Sequence, residues 1–144
     1  MKLGSLLLVV IALAGATSET AGATPTARTG SSSFCSIARS VGRSIVNSTT
    51  LPSGRVTPAA LKTAYTKVAA AEPSLLATEP ASLKPHLRPV FGFINVLIAD
   101  WKQADWKIAN LQPKLPTLAA QARKVNPHIR VVQAYLDNTC KLGV

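Results

Sequence analysis

Apolar positions recur along this chain at spacings of three and four, the period of an α-helix. No run alternates apolar and polar residues with β-branched side chains over six positions, as a half-buried strand would. The first helical segment places Phe34, Ile37, Ala38, Val41 and Ile45 on one face and Arg39, Arg43 and Asn47 opposite, and Pro52-Ser53-Gly54 breaks it. A second starts with Thr57 as N-cap and Pro58 at the first helical position. It turns Leu61, Tyr65 and Val68 inward and is expected to stop before Pro73. Ser74 to Thr78 forms a short turn to a new start at Glu79-Pro80. The third signal is the longest: Leu83, Leu87, Val90, Ile94, Leu97, Trp101, Ala104, Ile108 and Leu111 make a continuous seam, starting or kinking near Pro89 and ended by Pro113 and Pro116. The last segment, Thr117 to Cys140, is expected to divide at Asn126-Pro127. Leu118, Ala122 and Val125 make a first piece, and Ile129, Val132, Tyr135 and Leu136 the closing helix.

Four main helices with short connections predict an all-α fold, an antiparallel up-down-up-down four-helix bundle whose first start and last end lie at the same end. Cys35 opens the periodic region and Cys140 nearly closes it. In an oxidising compartment such an even pair is read as one disulfide, with two unrelated buried thiols as the alternative. A bridge agrees with the helix count, because it requires both extremities to meet.

The N-terminus supplies the compartment. Lys2 precedes an apolar run from Leu6 to Ala14, and two small-x-small sites follow, Ala14-Gly15-Ala16 and Ala21-Gly22-Ala23. That order is a secretory signal peptide, residues 1–23, cleaved after Ala16 or Ala23. The run falls short of the roughly 20 residues a membrane span needs, so the protein is expected to be secreted and not transmembrane after cleavage. Residues 24–33 are a flexible Ser/Thr-rich leader, and 34–144 are the bundle domain. Asn47-Ser48-Thr49 matches the N-glycosylation acceptor pattern.

The chain has 144 residues, 47% of them hydrophobic and 15% charged, which suits one domain with a core and excludes a wholly disordered chain. Two Cys, two His and a single Met exclude a four-Cys zinc cluster, an iron–sulfur protein and a multi-disulfide scaffold. There is no Cys-x-x-Cys-His, Gly-x-Ser-x-Gly or Gly-rich phosphate loop. No catalytic residue, metal ligand or cofactor is therefore assigned. His86, in Pro85-His86-Leu87-Arg88-Pro89, and His128, after Pro127, are expected at the starts of successive helices, at opposite ends of the bundle and too far apart to share a metal.

Sixteen Lys+Arg against six Asp+Glu give a formal net charge of +10, and removal of residues 1–23 leaves it unchanged by taking Lys2 and Glu19 together. Only Lys102–Asp105 and Asp137–Lys141 have ion-pair spacing on helices, whereas Arg39/Arg43 and Lys84/Arg88 set like charges four residues apart. These four, with Arg123, Lys124 and Arg130, are the candidate anion contacts. An unneutralised surface favours wall polymer, anionic lipid or nucleic acid, although no specific nucleic-acid motif is present. A charge that merely keeps a secreted protein soluble is the competing explanation. Asp105, about 40° round from Trp101, is expected on the apolar side of the third helix. There it either bonds a Tyr hydroxyl or a basic side chain, or serves a ligand in a cavity. Asp105, Tyr65, Tyr135 and Trp101 are the candidates for such a pocket. Trp106, about 140° from Trp101, falls outside the stripe, where it leans on neighbouring loops or forms a contact surface.

The closing stretch Val132-Gln133-Ala134-Tyr135-Leu136-Asp137-Asn138-Thr139-Cys140 resembles the end of a group of small exported actinobacterial all-helical proteins of unknown function. Members share an early Cys, a helical middle with a Trp/Tyr-Ala-Asp-aromatic segment (here Trp101 to Trp106) and a Tyr-x-x-x-x-Cys ending. Gly usually follows that Cys, where this chain has Lys141. The resemblance spans Cys35 to Leu142. It implies export and an N-to-C-terminal disulfide, and no activity. Together these features lead to the expectation of a secreted, monomeric, non-enzymatic binding or structural module at a polyanionic surface. A carrier of a small apolar ligand, of the fatty acid or haem class, is the alternative.

Overall fold

A computed structural model describes residues 29–49 and 57–142, with side chains from Ser32 to Ile45 and from Thr57 onward. The expected signal peptide, its two cleavage sites, the Pro52-Ser53-Gly54 break and the Asn47 side chain lie outside the described residues. Four long helices make the fold: α1 (Thr29–Thr49), α2 (Pro58–Ala77), α3 (Lys84–Gln103) and α5 (Leu115–Asn138). A single turn, α4 (Ile108–Leu111), passes through a 3-10 turn at Gln112–Lys114 into α5. Among the described residues there is no strand.

Local chemistry explains the starts. The Thr57 hydroxyl accepts the Ala60 N–H at 3.2 Å, and Pro58 supplies a pre-set φ at the first position of α2. Before α3, the Pro80 carbonyl accepts both Leu83 and Lys84 N–H groups, so the helix begins at Lys84 rather than at Pro89. α1 begins at Thr29, so residues 29–33 of the expected leader are helical. Phe34 and Cys35 are buried, and a helix anchored at that point extends upstream at one hydrogen bond per residue.

Three prolines do not stop the helices they occupy. α2 runs through Pro73 to Ala77, α3 through Pro89, and α5 through Pro127 as one helix of 24 residues. Proline removes one intrahelical bond. Here buried residues on both sides hold the axis: Val68 and Leu75 around Pro73, Leu87 and Val90 around Pro89, Leu118 and Ile129 around Pro127. Pro73 and Pro127 are themselves exposed, so each carbonyl they free lies on a wet face.

The helices pack in a chain: α1 on α2, α2 on α3, and α3 on α5. The remaining edge, α1 to α5, is closed covalently by Cys35–Cys140, with Cα atoms 5.1 Å apart. Phe34 meets Tyr135 edge-on beside the bridge, and Arg39 Nη2 donates to the Cys140 carbonyl at 2.9 Å. The core centres on α3, where Ile94 and Leu97 are wholly enclosed. Beyond α5, Lys141 takes a left-handed φ of 55°, which lets the Leu142 N–H return to the Leu136 carbonyl at 3.1 Å. That conformation suits Gly. Replacing Lys141 with Gly is therefore expected to raise stability by about 0.5–1 kcal/mol, read from urea unfolding at pH 7. A loss of stability would show that the lysine side chain holds this end.

Candidate functional site

The clearest departure from helical periodicity lies where α3 ends. The seam from Leu83 to Leu111 breaks at Gln103 instead of continuing, because Asp105 and Trp106 take left-handed φ values of 51° and 57°. The Trp106 N–H bonds the Trp101 carbonyl at 2.9 Å and the Asp105 N–H bonds Lys102 at 3.1 Å, a Schellman close with Asp105 in the position that favours Gly. A continuing helix would leave Trp106 in solvent. The turn instead stacks its ring on Trp101, with centroids 6.0 Å apart and planes 8° from parallel, and sets it 6.3 Å from Tyr65. The two left-handed residues cost about 1–2 kcal/mol each, a cost offset by burial and stacking of the indole.

Asp105 is consequently exposed, not turned to the apolar side as expected. It pairs with Lys107 at 2.9 Å rather than Lys102, and that hydrogen bond and charge hold its carboxyl below the usual range. The Tyr hydroxyl has another partner: the Trp101 indole N–H donates to Tyr65. Burial pushes Tyr65 up to about 12 despite that bond. Near the same end, Lys114 bonds both Asp100 and Gln103, tying the chain before α5 back to α3.

An apolar cleft opens between the four long helices, lined by residues such as Phe34 and Ala38 of α1, Val68 of α2, Phe91 of α3 and Leu136 of α5. Its free volume is about 20 Å³, space for one water. None of Asp105, Tyr65, Tyr135 and Trp101 lines it. Tyr65 and Trp101 are core residues, and half-buried Tyr135 packs on Phe34.

The basic candidates sit on three helices: Arg39 and Arg43 on α1, Lys84 and Arg88 on α3, Arg123, Lys124 and Arg130 on α5. All seven are exposed. Arg39 is engaged with the Cys140 carbonyl, which places a cation at the C-terminal end of α5. Arg43, Lys84, Arg88, Lys124 and Arg130 have no salt bridge among the described residues. Arg123 and Arg130, seven apart, share one face of α5, and Lys124 lies about 100° away.

The two histidines meet. His86 Nδ1 and His128 Nδ1 are 3.1 Å apart, with ring centroids at 5.2 Å and both residues half-buried. The expectation of opposite ends fails because α5 does not restart at Pro127. His128 therefore lies within the helix that packs along α3, opposite the first turn of α3. No group of three or more His, Cys, Asp or Glu able to hold a metal occurs among the described residues. Nor is any described helix long and apolar enough to cross a membrane. No protein-family model, curated protein or solved structure matches the chain.

Two outcomes follow from the aromatic turn. Trp106→Ala is expected to cost about 2–4 kcal/mol and to erase the near-UV circular dichroism of the stacked indoles, whereas Asp105→Gly raises the unfolding temperature by relieving φ at that position. An unchanged near-UV spectrum in the Trp106 variant would refute the stack. For Tyr65, the folded value of about 12 lies above the ordinary tyrosine value of 10.0. Its contribution, about 2–3 kcal/mol, is thus complete below pH 10 and lost as pH rises through 12. Alkaline unfolding monitored from pH 9 to 12 should lose this dependence in Tyr65→Phe.

Proposed function

We propose that the protein is an exported, monomeric, non-enzymatic binding or structural module that contacts polyanionic surfaces, such as cell-wall polymer or anionic lipid, through its exposed cations. The observation that carries this reading is the set of exposed, unneutralised side chains: Arg43, Lys84, Arg88, Lys124 and Arg130 project from three helices without a salt bridge among the described residues. Exposed cations lacking intramolecular partners release counterions when they meet a polyanion, which is a favourable, salt-sensitive term. Lys84 and Arg88, four apart on one helix, are mildly unfavourable neighbours in the free protein, and an anion between them relieves that repulsion.

The fold in this reading is an up-down-up-down bundle with the signal peptide removed. Contacts between distant positions support the order: Cys35 with Cys140, Lys67 Nζ with the Ser44 carbonyl, and Lys114 with Asp100. A carrier role stands second. The cleft between the helices has about 20 Å³ of free volume, so a fatty acid or haem would have to part helices that are joined covalently.

Cosedimentation with anionic vesicles and with isolated wall polymer tests the proposal. Binding should fall steeply between low and moderate salt, and Lys84→Gln with Arg88→Gln should flatten the salt dependence. Binding indifferent to salt, or absent on both surfaces at low salt, would rule it out.

A further inference from the structure

We infer that His86 and His128 form a two-histidine site for a late first-row divalent cation, with Cu(II) held more tightly than Ni(II) or Zn(II). Nitrogen ligands about 2.0–2.1 Å from one ion, at angles between a right angle and the tetrahedral value, stand about 2.9–3.4 Å from each other. The two Nδ1 atoms are 3.1 Å apart, inside that range. In the metal-free pair one Nδ1–H donates to the other Nδ1. Binding needs a tautomer shift and a modest rotation of the rings: the donor's proton leaves Nδ1, Nε2 takes one up, and the two rings, now nearly head-on, turn so that both Nδ1 lone pairs meet at one ion, with no net change of charge on the protein.

Packing and donor type favour this chemistry, and they work against the charge of the neighbouring Lys84, Arg88, Lys124 and Arg130. His86 lies in the first turn of α3 beside buried Leu87, and His128 is followed by buried Ile129, so packing fixes both backbones. The rings are half-buried, leaving a solvent side on which water completes the coordination. An all-imidazole donor pair without carboxylate suits Cu, Ni and Zn rather than Mg or Ca, and the order Cu above Ni and Zn is the intrinsic one for such ligands. A cation here cross-links α3 to α5. The inference is independent of the polyanion reading, since it uses neither the exposed cations nor their partners.

The test uses the whole secreted chain with CuCl2, NiCl2 or ZnCl2 as the probe. Thermal unfolding by circular dichroism should move up about 5 °C when free ion exceeds its Kd about tenfold. EDTA should reverse the shift, and both His86→Gln and His128→Gln should abolish it while keeping the metal-free helicity. Electron paramagnetic resonance of the Cu(II) protein should show two coupled nitrogens, in a pattern that changes on labelling with ¹⁵N-histidine. That measurement needs no variant. No shift in the wild type, a shift that survives either substitution, or a spectrum blind to the label would each overturn the site.

Discussion

A single covalent bond closes this fold. The denser helix packing runs in sequence from α1 to α2, α2 to α3 and α3 to α5. The Cys35–Cys140 bridge ties the last helix to the first, across a sequence separation of 105. Its neighbours reinforce it, with Phe34 against Tyr135 and Arg39 on the Cys140 carbonyl. Residues of all four long helices, Phe34 of α1 and Leu136 of α5 among them, line the cleft between them. A constraint of this kind acts mainly by removing conformations from the unfolded chain, which suits a small domain with a modest core.

What the closed bundle leaves for function lies outside. Among the described residues the buried ones are hydrophobic by type, with the Tyr65 hydroxyl and its Trp101 partner inside the core, and the candidate features lie at the rim and surface. Two features stand there, the exposed cations of α1, α3 and α5 and the histidine pair on the α3–α5 seam. They differ in physical kind. In the proposed roles the cations would act through long-range, screened attraction to many weak partners, whereas the imidazoles would act through a fixed short distance to one ion.

The apolar faces were legible because periodicity reports burial directly: Phe34, Ala38 and Ile45, then Leu61, Tyr65 and Val68, then the α3 seam from Leu83 to Ala104 are core, whereas Ile108, past the break in the seam, is exposed. The disulfide was legible from the even count of two cysteines, one at each end of the periodic region, once export was expected. Prolines were the weak point. Pro73, Pro89 and Pro127 signal breaks locally, but tertiary packing on both sides outweighs one lost bond, and the misreading at Pro127 hid the meeting of His86 and His128. The α3 terminus was obscured for a different reason. A Schellman close is usually marked by Gly, and here Asp105 takes that position while Trp106 supplies the apolar contact to Trp101. The usable signal was the pair of tryptophans five apart. Helical spacing denies them a shared face, and a left-handed turn restores it.

The most direct measurement is amide hydrogen exchange on the oxidised and the reduced protein under native conditions. If the bridge is the closing edge, worth about 4–5 kcal/mol on the chain-entropy view, reduction removes protection first along α1 and at the end of α5. Amides around Ile94 and Leu97 in α3 keep theirs longest. Equal protection of α1 in both redox states would contradict the dependence of the fold on Cys35 and Cys140.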